Sequence, residues 1–457
     1  MNTMVALNAM KNYFETGATQ SLDFRITQLK KLKAAVVANE EAIYTALHKD
    51  LRKSKEECYV TENGFFLAEI NNAIKKLTTW VKPKIVSTNL LNFPSKSFIQ
   101  SEPLGVVLII SPWNYPFQLL MTPLIGAIAA GNCVVMKPSE LAPATEAVIK
   151  KIIESVFDKE YILFVKGDGA TIVPELMNNF IFDHVFYTGS TAVGKIIYEL
   201  AAKNLVPVTL ELGGKSPCIV EDDVDVKLTA KRIAMPKFSN AGQMCVAPDY
   251  LLVHENIKDK LVTEIKNALI EFFGKDAQQS KFYGRIINEK QFARLEKYLS
   301  NGKILHGGKT DSTDLYIEPT LIEITDSNLP IMQAEIFGPI LPIISFKTFD
   351  QAIAILKQNK NPLAMYVFTK NKKKERQWLT AVPFGGGCVN NASYHLTNHN
   401  LPFGGRGNSG LGNYHGKYSF DTFSHKKSIM KTYTWLDLYL KYPPFTGRLS
   451  FFKKIIG

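Results

Sequence analysis

The chain has 457 residues, more than a single hydrophobic core organises, so two or three domains of roughly 150 to 200 residues are expected. Its 46% hydrophobic and 21% charged residues match an ordinary soluble protein and exclude a largely disordered or low-complexity chain. The net charge of +12 comes with no zinc-finger spacing and no basic stripe interleaved with aromatics, so no nucleic-acid partner is expected; five scattered cysteines without a Cys-x-x-Cys pair exclude a disulfide framework and a zinc cluster and point to a reducing, cytoplasmic setting.

No basic run followed by an apolar block opens the chain, so no secretory signal is expected. The first eighty residues carry apolar positions at helical spacing (Ile26, Leu29, Leu32, Val36, then Ile43, Leu47, Leu51) and read as long packed helices. Between Pro83 and Pro103 the composition shifts to Ser, Thr, Asn and Pro with alternating apolar residues, the pattern of an extended ribbon. From Leu104 to Met136 there is no charged residue, a stretch long enough to span a bilayer. Pro112, Pro116 and Pro123 divide it into a strand Val106–Ile110, a loop Ser111–Pro116, a helix from about Phe117 to Ala130 and a strand Cys133–Met136.

Short apolar runs at Leu163–Val165, His184–Tyr187 and Pro207–Leu210, separated by helical segments, predict a parallel sheet covered on both faces. The alternation restarts after Gly213, with strands expected at Cys218–Val220, Tyr250–Val253, Tyr283–Ile287, Ile340–Ser345 and Tyr366–Thr369. Helices are expected over Lys258–Phe273, Glu289–Ser300 and Phe349–Gln358. The Gly-rich run Phe384–Gly387 closes this second α/β region, and Asn390 to Gly457 reads as irregular chain wrapped on other surfaces.

Chemistry concentrates in a few segments. Cys245 sits among small, uncharged residues in Ala241-Gly242-Gln243-Met244-Cys245-Val246-Ala247-Pro248, 34 positions after Glu211 in Leu210-Glu211-Leu212-Gly213-Gly214-Lys215. A thiol is intrinsically nucleophilic and a separate carboxylate can serve a later step as base, although an isolated cysteine is more often a packed hydrophobe. Asn114 lies between Trp113 and Tyr115 in a proline-bounded loop after a buried strand. Its amide suits an oxyanion donor, or else satisfies its own loop. In Gly189-Ser190-Thr191-Ala192-Val193-Gly194 a strand passes into a helix as a degenerate form of the dinucleotide fingerprint. Lys137 and Glu140 follow a buried strand, where nucleotides bind in open α/β sheets and where both can meet ribose hydroxyls. His395 and His399 are four apart but lack the intervening glutamate of a zinc helix, so no metal is implied; no Gly-x-Ser-x-Gly elbow supports a serine hydrolase.

Taken in order, Pro112-Trp113-Asn114, Lys137-Pro138-Ser139-Glu140, Thr188-Gly189-Ser190 with Gly194, Leu210 to Lys215, Gly242-Gln243-x-Cys245, Glu335-Ile336-Phe337-Gly338-Pro339 and Pro402-Phe403-Gly404-Gly405 with Ser409-Gly410 resemble the aldehyde dehydrogenase superfamily over nearly the whole chain. Tyr115, the string Cys245 to Tyr250 and Tyr414-His415-Gly416-Lys417 resemble its class 3 branch of fatty and aromatic aldehyde dehydrogenases. The resemblance implies an α/β fold with a Rossmann-like dinucleotide-binding domain (1–83 and 103–210), an oligomerisation ribbon (84–102 and 412–435), a catalytic α/β domain (211–411) and a C-terminal tail (436–457). It further implies NAD or NADP as cofactor and a homodimer.

The same resemblance makes Cys245 the nucleophile, Asn114 with the Cys245 N–H the oxyanion site, and Glu211 the base that activates water on a thioester. Glu335 is a second candidate for that base. Trp113, Lys137, Glu140, Gly189, Ser190, Gly194, Glu335 and Phe337 become cofactor contacts. Phe65, Phe66, Tyr115 and the tail aromatics become walls of an apolar substrate tunnel. The expected function is oxidation of an apolar, long-chain or aromatic aldehyde to its acid, with transfer of the thioester to coenzyme A, or a non-catalytic binding protein, as alternatives. In the tail, Phe445, Leu449, Phe452 and Ile456 fall on one helical face, suited either to docking on protein or to peripheral contact with a membrane surface.

Overall fold

A computed structural model describes residues 3–456. Its centre is a six-stranded sheet in the order Gly410–Leu411, Val208–Glu211, His184–Thr188, Val106–Ile110, Cys133–Lys137, Ile162–Phe164. All neighbours are parallel except Gly410–Leu411, which pairs antiparallel to Leu210 and Glu211. The inner strands are buried on both faces, which is why they read as unbroken apolar runs. Thr188 pairs with Glu211, and Ile110 with both Tyr187 and Lys137, so the loops after these strands leave from one edge of the sheet. The order reverses across Val106–Ile110, the switch point at which such sheets bind ligands.

A seven-stranded sheet follows in the order Lys303–His306, Thr320–Glu323, Ile340–Phe346, Tyr250–His254, Pro217–Val220, Ala364–Phe368, Gly386–Val389. Only Lys303–His306 runs antiparallel to its neighbour. The chain carrying Cys245 enters this sheet just before Tyr250, and the Glu335 to Gly338 loop enters just before Ile340. A third sheet is built from Lys84–Val86, Ser95–Pro103 and Ser424–Thr432.

The expected helices of the first eighty residues, the Val106–Ile110 strand, the Cys133–Met136 strand (observed over Cys133–Lys137) and the Lys258–Phe273 helix are all observed. Three expectations fail. Tyr283–Ile287 forms no strand, because side chains meet its polar backbone groups: Arg285 Nη1 donates to the carbonyls of Tyr283 and Gly284, and Gln243 Oε1 accepts from the Ile287 N–H. The Gly-rich run opens the edge strand Gly386–Val389 rather than ending the sheet. The region after Asn390 is not wholly irregular: Ser424–Thr432 pairs with Ser95–Pro103 residue for residue over nine positions. Its three lysines hid it from an apolar pattern, and such charges are what an edge strand carries against unwanted pairing. In the tail, Leu449–Ile456 is helical with Leu449 and Ile456 exposed. No helix among the described residues is long and apolar enough to cross a membrane.

Candidate active site

The chain leaves the first sheet at Glu211 and enters the second at Pro217, and the predicted residues converge near this crossing. The helix Val226–Phe238 ends in a turn in which Asn240, Ala241 and Gly242 take φ values of 51°, 51° and 73°. Consecutive left-handed residues are uncommon and mark a loop fixed by its surroundings. Gly242 is fixed by space as well: a Cβ there would lie 2.2 Å from the Gly338 carbonyl oxygen. The turn therefore packs against the Glu335 to Gly338 loop and delivers Cys245 toward the strand end at Glu211.

Two cavities share that point. One, of about 150 Å³, is lined mainly by apolar groups that include Phe65, Tyr115, Leu119, Met244 and Phe403. The other, of about 220 Å³, is lined by Trp113, Asn114, Gly189, Ser190, Glu335 and Phe337 among others. Cys245, Glu211 and Thr188 border both. Trp113 and Phe337 meet edge to face at 5.3 Å on the second side.

Burial governs the charge state here. Desolvation, with smaller contributions from the neighbouring Glu335 and Glu211 carboxyls, pushes the Cys245 thiol up to about 12, while the N–H groups of Cys245 and Val246 pull it down. Desolvation alone raises Glu211 well above the carboxylate range; neither of its oxygens has a protein partner. Glu335 rises to about 8 through desolvation and then Asp249. The site thus holds a neutral thiol and two carboxyls that ionise reluctantly.

The amide of Asn114 does not fold back on its own loop. Its Nδ2 donates to the Gln243 carbonyl at 3.0 Å, two residues from Cys245, and its Oδ1 has no partner. Among the other predicted residues, Ser190 caps the helix Thr191–Ala202. A Cβ on Gly194 would fall 2.6 Å from Leu212 Cδ2, so this glycine lets the helix lie close to the strand below. Lys137 and Glu140 stand at the same sheet edge but outside both cavities, with Lys137 Nζ donating to Glu140 Oε2 at 3.0 Å. Phe65 and Tyr115 line the apolar cavity, whereas Phe66 turns into the core against Phe117 and no tail aromatic reaches the lining.

Several residues that shape the site were given no role by the sequence, although Gln243 and Asp249 lie within the quoted motifs. Asp249 accepts from Lys215 Nζ and from the Ile336 N–H, tying the Glu335 loop to the second sheet. Gln243 donates to the carbonyls of Asn240 and Arg285. Lys53, in the link between the helices Glu40–Leu51 and Lys55–Cys58, and Glu62, in the turn Tyr59–Asn63, reach the Asn114 loop from the N-terminal region.

A model of the aldehyde dehydrogenase family matches residues 2–429. The chain belongs to the aldehyde dehydrogenase family. It is 49% identical over 445 residues to the 4,4'-diaponeurosporen-aldehyde dehydrogenase of Staphylococcus aureus (strain NCTC 8325 / PS 47), covering 97% of this chain and 96% of that one. It is 45% identical over 417 residues to the dimeric NADP-preferring aldehyde dehydrogenase of Rattus norvegicus, covering 91% and 92%. Among solved structures, the substrate bound state of Staphylococcus aureus AldH superposes with a TM-score of 0.97 at 47% identity, with each chain covered in full. Membership makes this chain an oxidoreductase that oxidises aldehydes with NAD(P).

The second cavity fits that cofactor. Its buried Glu335 Oε1 and Glu211 oxygens await partners, and a Cβ on Gly213 would lie 1.8 Å from Glu335 Oε2, so only glycine leaves the carboxyl this close to the backbone. The raised carboxyls also couple the site to stability. In the unfolded chain a glutamate titrates near about 4.3, so the folded protein holds extra protons up to about pH 8 at Glu335. Stability from such a group is complete below the unfolded value and is lost as pH rises through the folded one. The melting temperature without cofactor should therefore carry a falling contribution from about pH 5 to about pH 8. Glu335→Gln should flatten that fall, and an unchanged slope in a pH series of thermal melts would remove Glu335 as its source.

Proposed function

We propose that Cys245 is the nucleophile, Asn114 with the Cys245 N–H the oxyanion site, and Glu211 the base of a two-step oxidation. The observation that carries this reading is the position of Cys245 and Glu211 on the border shared by the apolar cavity and the cleft that holds Asn114, Ser190 and Glu335. The Cys245 sulfur, its proton passed to solvent water, bonds to the aldehyde carbon as the C=O π bond opens, and the carbonyl oxygen becomes an oxyanion facing the Asn114 amide. One such donor is typically worth about 100- to 1000-fold in rate. Loss of the aldehydic hydrogen as hydride leaves a thioester on Cys245. Bound NAD(P) supplies the hydride acceptor. Glu211 then takes a proton from water, the water oxygen bonds to the acyl carbon, and the C–S bond breaks to release the acid and the thiolate.

Glu335 and Phe337 would hold the nicotinamide ribose and ring with Trp113 and Ser190 nearby, Gly189 and Gly194 would shape the strand-to-helix turn toward the cofactor's phosphates, and Lys137 with Glu140 would meet the adenosine ribose. The Lys137 ammonium beside Glu140 offsets the repulsion a carboxylate would exert on a 2′-phosphate, so we infer use of both NAD and NADP. The name of the rat relative, NADP-preferring, agrees. The division into dinucleotide-binding, catalytic and ribbon segments and a homodimer formed through the ribbon belong to the same reading. The rat relative is named dimeric. Five free cysteines suit the reducing cytoplasm. The exposed apolar residues of the tail leave it a face for peripheral membrane contact.

The apolar walls favour a long-chain, aromatic or polyene aldehyde, and the staphylococcal relative is named for a diaponeurosporen aldehyde. Each methylene moved from water into such a cavity is worth about 0.8 kcal/mol, or about fourfold in kcat/KM. A homologous series of straight-chain aldehydes, assayed with both cofactors, should climb by this factor per carbon until the cavity is filled. A flat series would refute an apolar tunnel.

A further inference from the structure

A buried ion pair outside both cavities reaches the loop that carries Asn114. Lys53 is fully buried, and its Nζ donates to Glu62 Oε1 at 2.6 Å and to the Asn114 carbonyl oxygen at 3.1 Å, while lying 3.9 Å from the centroid of the Tyr115 ring. Glu62, also fully buried, uses Oε2 to accept from the N–H groups of Phe117 and Gln118, both at 3.0 Å. These are orphan donors at the start of the helix Gln118–Ala130, which has no cap from its own sequence. Glu62 reaches them from a five-residue π-helical turn, Tyr59–Asn63, a local distortion that is rare and concentrates at functional sites.

The pair therefore grips the Asn114 loop at both ends: Lys53 holds the Asn114 carbonyl and the Tyr115 face, and Glu62 holds the residues that follow Pro116. Asn240 adds a second donor to the same carbonyl at 2.7 Å, and its own N–H is held by Glu57 at 2.7 Å. A buried ion pair contributes little net stability because desolvation opposes its attraction. What these charges do contribute is geometry, since all their polar contacts converge on the Asn114 loop or on each other.

We propose that Lys53 and Glu62 are positioning residues that fix the Asn114 backbone so that its side-chain amide faces the oxygen bound at Cys245. The inference rests on the oxyanion role given to Asn114 above. Displacement of a reacting group by about 1 Å can cost about 100-fold, so Lys53→Met should slow the pre-steady-state burst of reduced cofactor by about 10- to 100-fold. The KM for aldehyde and the Kd for NAD(P) should stay within about twofold of wild type, because neither Lys53 nor Glu62 itself lines a cavity.

The decisive measurement is a double-mutant cycle on the burst rate with Lys53→Met, Asn114→Ala and the combined variant. If Lys53 acts through Asn114, the combined variant is no slower than Asn114→Ala alone. A multiplied loss, or a full burst in Lys53→Met, overturns the proposal. A full burst in Asn114→Ala instead overturns the oxyanion reading on which it rests. Glu62→Gln, which keeps the volume and discharges the carboxylate, and Lys53→Met with Glu62→Gln, which removes both charges, are read in the same way should Lys53→Met alone not fold.

Discussion

Replacement of Cys245 by alanine is expected to abolish formation of reduced cofactor, with a loss of about 10⁴-fold or more, the scale of removing a covalent nucleophile. Cofactor binding, followed by fluorescence titration, should be retained, because Cys245 is only one of many residues bordering the cofactor-side cavity. A second thiol competes for the role. Cys388 lies 3.7 Å from His395 Nδ1, a thiol beside an imidazole, which on chemistry alone is the more familiar nucleophile. Two observations disqualify it. Cys388 borders neither active-site cavity, and desolvation lowers His395 to about 4, so the ring is neutral near pH 7 and offers no positive charge to a thiolate. Cys58, Cys133 and Cys218 are buried, and none borders these cavities. Cys388→Ala should accordingly turn over normally. Undiminished turnover in Cys245→Ala would sink the assignment of the nucleophile.

The legibility of the site in the sequence follows from how each residue is held. Cys245, Glu211 and Asn114 lie in segments whose composition is dictated locally: a glycine pressed on the Gly338 carbonyl, a buried strand end, a proline-bounded loop. The alternation of apolar runs and amphipathic helices made both parallel sheets visible, because a strand buried on two faces has no polar face to confuse it. Tyr283–Ile287 has the same apolar look, but its backbone is met by Arg285 and Gln243, and no count of β-branched residues reports that. Ser424–Thr432 failed in the opposite sense, since a solvated edge strand rich in lysine has almost no apolar signature. Lys53 and Glu62 were illegible for a third reason. Nine residues apart and charged, they resemble any solvated helix pair until the π-helical turn and the neighbouring loop bury them.

Glu211→Gln is expected to separate the two halves of the reaction. The variant should release about one equivalent of reduced cofactor per site in a burst and then turn over about 10²- to 10⁴-fold more slowly, the usual worth of a general base. Burial raises the Glu211 carboxyl and so favours its neutral form, which the amide copies in shape and charge, leaving attack by Cys245 undisturbed. What the amide cannot do is accept a proton from water. The wild-type steady-state rate should rise with pH as Glu211 ionises, and the variant should lose that rise while keeping its burst. Glu335 provides the internal control, because it borders the same cleft with its carboxyl pushed up to about 8. If acid release in Glu211→Gln is normal and fails instead in Glu335→Gln, the base is Glu335. If the burst itself disappears while cofactor still binds, Glu211 serves the attack of the thiol rather than the hydrolysis of the thioester.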